Sequence, residues 1–177
     1  MSELFIILQE NLRLVLSFVI ITNFIIIFFL KFSLNIKLKY EAFFSNNNKD
    51  KDILLLIAHP DDETMFFIPV LKFLLNLKKK VRILCLSNGN FDKIGDVREK
   101  EFSELCKNLN IENSSILNDE RLQDNLHKKW DPNVVANKID EYLNKNDNFQ
   151  KIGTIITFDH VGVTNHPNHI STSDGLM

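Results

Sequence analysis

Two kinds of hydrophobic pattern run along this chain: an unbroken apolar stretch near its beginning, then short aliphatic runs alternating with helical periodicity. Residues 53–57, Ile-Leu-Leu-Leu-Ile, are five consecutive large aliphatics, which predicts a strand buried on both faces, as in a parallel sheet. Phe66, Phe67, Val70, Leu71, Leu74 and Leu75 then recur at helical spacing. They predict a helix over 64–77, capped by Thr64, with Pro69 inside it as a kink and Lys78, Lys79 and Lys80 closing its carboxyl end. A second strand is predicted at 81–86, followed by Ser87-Asn88-Gly89-Asn90. Phe102, Leu105, Cys106 and Leu109 predict a helix over 96–109, and residues 111–117 a weaker strand. Asp131-Pro132 supplies a capping residue and a first-turn proline for a helix with Val134, Val135, Ile139, Tyr142 and Leu143 as its stripe. A fourth strand follows at 152–158. This alternation predicts a doubly wound, mostly parallel, Rossmann-like α/β sheet. In one common strand order the first and fourth strands are neighbours, and a ligand crevice opens beyond their carboxyl ends.

The early apolar stretch has a different origin. Residues 14–30 carry no charge, and only Ser17, Thr22 and Asn23 among them are polar. With Leu12 and a snorkelling Arg13, the span over about 12–30 approaches the roughly 20 residues that cross a bilayer. It lacks the polar face of a buried core helix. Glu3 and Glu10, and the lack of a small-residue cleavage site, argue against a cleaved signal peptide. The expected organisation is a membrane anchor over 1–39 with one transmembrane helix, a linker over 40–52 containing Asn46-Asn47-Asn48, and an α/β domain over 53–177. Lys31, Lys37 and Lys39 follow the span while only Arg13 and the amino terminus precede it, so the positive-inside rule puts the domain in the cytosol.

Composition changes this picture little. A net charge of -2 over 177 residues gives no basic excess and no argument for nucleic acid. Cys85 and Cys106 have no CxxC partner, which predicts buried thiols in a reducing compartment.

The chemistry sits where the strands end. Ala58-His59-Pro60-Asp61-Asp62-Glu63 follows the first strand. Across a tight turn His59 and Asp62 can reach one metal ion, which leaves Asp61 free to act as a base. After the fourth strand comes Asp159-His160-Val161-Gly162-Val163-Thr164-Asn165-His166-Pro167-Asn168-His169. Together these segments resemble the two signatures of the zinc-dependent N-acetylglucosaminyl-phosphatidylinositol de-N-acetylase family, over about residues 53–169. The resemblance implies His59, Asp62 and His169 as zinc ligands, Asp61 as general base, and His166 as a second catalytic group that stabilises the oxyanion or protonates the leaving amine. Such a site holds zinc by three protein ligands with one position open, and another divalent metal would suit the same donors. Arg98 and Asp119 align with family positions lining the sugar pocket. Asp159 is a candidate acceptor for a ligand histidine, and Glu63 either orients a ligand or is an acid of a first helical turn. His127 and His160 fit no motif position and read as surface histidines. Asn165 replaces a usual glycine, and asparagine tolerates positive φ well.

The resemblance implies removal of acetate from a membrane glycolipid, N-acetylglucosaminyl-phosphatidylinositol, in glycosylphosphatidylinositol-anchor synthesis at the endoplasmic reticulum. The alternatives are a deacetylase for another N-acetylglucosaminyl conjugate, or a truncated, non-catalytic membrane partner. In the family the second signature leads into a helix and further strands, whereas residues 171–175 show no apolar periodicity. The chain is therefore expected to be an incomplete domain at its carboxyl end, with His169 on a frayed terminus and little activity of its own.

Overall fold

The computed structural model describes residues 3–46, 50–145 and 148–177. They divide into two units, Met1–Lys49 and Asp50–Met177.

The first unit is one helix, α1 (Glu3–Asn46). Its window Asn11–Asn35 is long and apolar enough to cross a membrane, and none of that window is buried against protein. At about 1.5 Å per residue, its 25 residues reach about 37 Å, more than the roughly 30 Å of a hydrocarbon core. Two of its polar side chains turn back on the helix. Thr22 Oγ1 donates to the Phe18 carbonyl at 2.9 Å, and Asn23 Nδ2 to the Val19 carbonyl at 2.7 Å. That satisfies them without water. The helix runs through Asn46, into the stretch expected to be a linker, because no glycine or proline between 31 and 46 stops it. Residues 47–49 of the expected linker lie outside the described residues.

The second unit is built on a four-stranded parallel sheet in the order β3-β2-β1-β4. Its strands are β1 (Asp52–Ile57), β2 (Val81–Cys85), β3 (Asn113–Ile116) and β4 (Ile152–Ile156). β1 is central and buried along its whole length. It pairs with β2 from Ile53 opposite Val81 to Ile57 opposite Cys85, and with β4 from Ile53 opposite Thr154 to Leu55 opposite Ile156. The expected juxtaposition of the first and fourth strands is therefore present. α4 (Gly95–Asn108) buries Phe102 and Cys106, and α5 (Pro132–Asn144) buries Val135 and Ile139. Asp131 caps α5 by accepting the Asn133 N–H. Cys85 and Cys106 are free, buried thiols, and burial pushes both above the ordinary thiol pKa.

Two helices depart from expectation. The one anticipated over 64–77 is two: α2 (Asp62–Met65) and α3 (Ile68–Asn76). Pro69 has no N–H to give the Met65 carbonyl, so the first helix stops and Pro69 sits in the first turn of the second. Thr64 is not the cap. Asp61 occupies that position at φ 101°, and the backbone N–H groups of Thr64 and Met65 donate to its carbonyl.

The second departure is at the carboxyl end, where α6 (Asn148–Lys151) and β4 lead to α7 (Gly162–Asn165) and α8 (Pro167–Asp174). α8 exists despite its lack of apolar periodicity, and it buries Asn168, His169, Ser171, Thr172 and Ser173. The hydroxyl side chains of Ser171 and Thr172 pack closely here because they are hydrogen-bonded. Ser171 Oγ accepts the Trp130 N–H at 3.0 Å and donates to the Pro167 carbonyl at 2.8 Å, while Thr172 Oγ1 donates to the Asn168 carbonyl. His169 accordingly sits in a packed helix rather than on a frayed end.

Candidate metal and catalytic site

β1 delivers His59 and the α2 turn, and β4 delivers the α7–α8 segment to its side. His59, His166 and His169 converge there, each with a ring nitrogen within 4.8 Å of the others, so the three can hold a metal ion. His59 and His169 are buried with Asp62, while His166 is half-buried.

The hydrogen bonds fix which nitrogen of each ring is free. His59 Nε2 faces two acceptors, Asp124 Oδ1 at 3.2 Å and Asn168 Oδ1 at 3.1 Å. It must carry a proton, so Nδ1 is the nitrogen left for a metal, and it points to Asp62 Oδ2 at 3.8 Å. His169 Nδ1 donates to the Gly162 carbonyl at 3.2 Å, which turns Nε2 to Asp62 Oδ1 at 3.1 Å. Two acceptors that close need a cation between them, either a proton or a metal. His166 differs. Its Nδ1 accepts the Asn168 N–H at 3.2 Å, so its free nitrogen, Nε2, is a donor. Burial, with the neighbouring His59 and His169 charges, lowers the His166 pKa to about 4, and the ring is neutral at pH 7. For His59 burial acts downward, but the Asp124 hydrogen bond and the Asp62 and Asp124 charges outweigh it and raise the pKa.

Asp62 does two things. Its Oδ2 accepts the backbone N–H groups of Ala58 and His59 at 3.1 and 2.8 Å, closing the turn, and its Oδ1 faces His169. Asp61 points elsewhere: its side chain is half exposed, and Oδ2 lies 2.6 Å from Arg98 Nη2. Glu63 is buried and accepts the Asp61 N–H through Oε2 at 3.0 Å, which helps hold Asp61 at its positive φ. Burial raises the Glu63 pKa. Asp61 is also raised, because burial outweighs the Arg98 charge. Arg98 is pinned by donating to the Pro60 and Gly89 carbonyls. Gly89 lies at φ 67° and a Cβ there would meet Arg98 Nη1 at 2.3 Å, so only glycine fits. Asp61 and Arg98 line a cleft of about 530 Å³ together with Met65, Ile94 and Phe102.

Two sequence expectations land differently. Asp119 is not brought to these histidines. It caps a 3₁₀ turn, pairs with Arg121 and Lys138, and lines a separate cleft with Arg82 and Tyr142. The Arg121 hydrogen bonds hold its carboxyl well below the usual range. Asp159 Oδ1 accepts the N–H groups of Val161 and Val163, at 3.2 and 3.3 Å, and the partner of His169 Nδ1 is instead the Gly162 carbonyl. Asp159 thus shapes the loop that carries this carbonyl. His127 and His160 are exposed, as expected. Asn165 takes φ 58°, the conformation its glycine-like position asks for. Sequence reasoning missed Asp124 and Asn168 as partners of His59. The Asn168 position, between two motif histidines, was the available signal.

Gly162 combines φ 61° with close packing: a Cβ would lie 2.9 Å from His169 Cβ and from the Ile170 nitrogen. Gly162→Ala is expected to cost at least about 1–2 kcal/mol, the left-handed penalty alone. Denaturant unfolding measures it, and an unchanged midpoint would remove the argument. The imidazole of His169 is also stacked on Phe158, with ring centroids 4.1 Å apart and planes 3° from parallel.

Comparison with known proteins shows the family. The family model described as "PIG-L: GlcNAc-PI de-N-acetylase" matches residues 54–177. The probable N-acetylglucosaminyl-phosphatidylinositol de-N-acetylase of Schizosaccharomyces pombe is 43% identical over 130 residues, covering 72% of this chain and 51% of the relative. The corresponding probable enzyme of Dictyostelium discoideum is 36% identical over 139 residues, covering 74% and 52%. The N-acetylglucosaminyl-phosphatidylinositol de-N-acetylase of Bos taurus is 36% identical over 120 residues, covering 67% and 46%. The chain thus spans about half the length of the curated relatives it matches. Among solved structures, the N,N'-diacetylchitobiose deacetylase of Pyrococcus horikoshii superposes with a TM-score of 0.57 at 22% identity, covering 72% of this chain and 49% of that one. The conserved protein TT1542 of Thermus thermophilus gives 0.56 at 20% identity, covering 71% and 53%. At those identities the likeness concerns the fold. The relatives and the family model carry the assignment: the chain belongs to the PIG-L family of GlcNAc-PI de-N-acetylases.

Proposed function

We propose that the protein is a zinc-dependent hydrolase that removes acetate from N-acetylglucosaminyl-phosphatidylinositol, an early step of glycosylphosphatidylinositol-anchor synthesis. The observation that carries the metal reading is the convergence of two imidazole nitrogens, His59 Nδ1 and His169 Nε2, on the Asp62 carboxylate at 3.8 and 3.1 Å. Donors bonded to zinc at 2.0–2.1 Å in tetrahedral geometry lie about 3.3 Å apart, so this set fits. His59, Asp62 and His169 are therefore the ligands in this reading. His166, whose free nitrogen bears a proton, stays outside it.

When bound, zinc supplies Lewis acidity and makes water at the site more acidic. Asp61 accepts the proton of the attacking water, held in place by Arg98 on one side and by the Glu63 contact to its backbone on the other. His166 stays neutral and offers Nε2–H to the oxyanion that develops on the acetamide carbonyl. The roles of sugar-pocket residue for Arg98 and Asp119 do not fare alike. Arg98 borders the cleft beside Asp61, whereas Asp119 faces the separate one.

A helix able to cross a membrane, in the same chain, favours a lipid-linked substrate over a soluble conjugate, because a soluble one needs no tether. Lys31 near the end of that span, with Lys37 and Lys39 beyond it, favours a cytosolic domain, and the endoplasmic reticulum is what the family resemblance implies. In sealed microsomes, added protease is expected to digest the region after Asp50 without detergent, and full protection would reverse the orientation. The function itself is tested with the full chain in detergent, assayed on a short-chain glycolipid analogue with and without chelator. Chelator-sensitive acetate release is expected. Release that ignores chelation would overturn the metal reading, and no release from zinc-loaded, folded protein would overturn the activity.

A further inference from the structure

Asp124 belongs to no sequence motif, yet it touches both halves of the site. It lies in the irregular segment between the 3₁₀ turn Glu120–Leu122 and α5, with its side chain only 8% exposed. One oxygen is 3.2 Å from His59 Nε2 and the other 3.5 Å from Arg98 Nη1. The segment is firmly held. Leu122 is fully buried, Trp130 Nε1 donates to the Gln123 carbonyl at 2.8 Å, and Asn125 Oδ1 accepts the N–H groups of His127 and Lys128. Asn168 is fixed in turn, accepting the Asn125 N–H at 2.9 Å and donating to the Lys128 carbonyl at 3.1 Å, which aims its Oδ1 at His59.

We infer that Asp124 is a positioning residue that selects the metal-binding atom of His59 and, through the same carboxylate, steadies the arginine that holds Asp61. A carboxylate accepts only, so an anion against Nε2 keeps a proton there and leaves Nδ1 as the nitrogen turned to Asp62. Without that charge the ring is free to move its proton to Nδ1 or to turn, and either change removes the donor that faces Asp62. Asn168 adds a second acceptor at Nε2, but its amide oxygen is neutral and cannot supply the charge. The second oxygen is placed for Arg98, whose Nη2 reaches Asp61 Oδ2 at 2.6 Å, so the ligand and the base share one anchor.

This rests on the ligand set proposed above, and the test separates the two. Zinc affinity of the full chain in detergent is measured by competition with a chelator of known affinity, for the protein itself, Asp124→Asn, His59→Ala and the double variant. Asp124→Asn is expected to bind zinc about 10–100-fold more weakly, the usual loss when a ligand histidine loses its acceptor. In the His59→Ala background the same change should cost nothing further, because the ring it acts through is gone. The visible spectrum of cobalt-loaded Asp124→Asn should also shift, which a general loss of stability would not produce. Should the asparagine variant fail to fold, the same cycle with Asp124→Glu decides. If Asp124→Asn binds as tightly as the unaltered protein, or weakens binding equally without His59, the inference is overturned while the ligand set stands. If His59→Ala leaves zinc affinity unchanged, the ligand set falls and the inference with it.

Discussion

Asp61→Asn is expected to lower deacetylase turnover by about 10²–10⁴-fold while leaving zinc content unchanged, the scale of losing a general base. Several features make this substitution clean. Asparagine is nearly the shape of aspartate and is among the few residues that accept positive φ, so the backbone at φ 101° is kept. Its amide oxygen can still accept from Arg98, and Glu63 still receives the backbone N–H. Only the capacity to take a proton is removed. Asp61 makes no contact with the histidine nitrogens that face Asp62, so metal binding has no reason to fall. Metal analysis of the purified variant beside its turnover decides the point. Zinc loss matching the activity loss would show that Asp61 is a ligand, and unaltered turnover would show that another group is the base.

The parts legible from sequence are those where local pattern and global packing agree. The aliphatic run at β1 demanded a central buried strand, and the two motifs stood directly after strands that the fold places side by side. His59, Asp62, His166 and His169 were found that way. Asp61 separated from Asp62 because consecutive side chains in a tight turn diverge. What stayed hidden depended on contacts between distant segments. Asp124 reaches His59 across 65 positions from a stretch with no periodicity, and nothing in its immediate neighbours marks it. α8 has no apolar periodicity because its buried face includes Ser171 and Thr172, whose hydroxyls are hydrogen-bonded, rather than greasy surface. Thr64 was a plausible cap by type. The turn instead put Asp61 there, because Asp62 folds back on the Ala58 and His59 N–H groups. Asp119 pairs with Arg121 and Lys138, partners that no local pattern marks.

Asp62→Ala is expected to abolish tight metal binding and, independently, to destabilise the domain. The two effects arise from different oxygens. Oδ1 faces Nε2 of His169, and its removal leaves the site without its only anionic donor in the proposed ligand set. Oδ2 accepts two buried N–H groups, those of Ala58 and His59, and alanine leaves both without that acceptor. At about 1–3 kcal/mol for each orphaned buried group, the loss is about 2–6 kcal/mol, against a total of about 5–15 kcal/mol for a typical domain. Asp62→Asn separates the contributions. Its amide oxygen can keep accepting the two backbone N–H groups, but the NH₂ that then faces His169 Nε2 donates to it and carries no charge. The asparagine variant should therefore unfold near the midpoint of the metal-free protein yet bind zinc far more weakly. Denaturant unfolding of metal-free samples, run beside zinc titrations of the same preparations, reads both. If the asparagine variant binds zinc normally, Asp62 holds the turn and is not a ligand. If alanine leaves the unfolding midpoint in place, the turn does not depend on Oδ2.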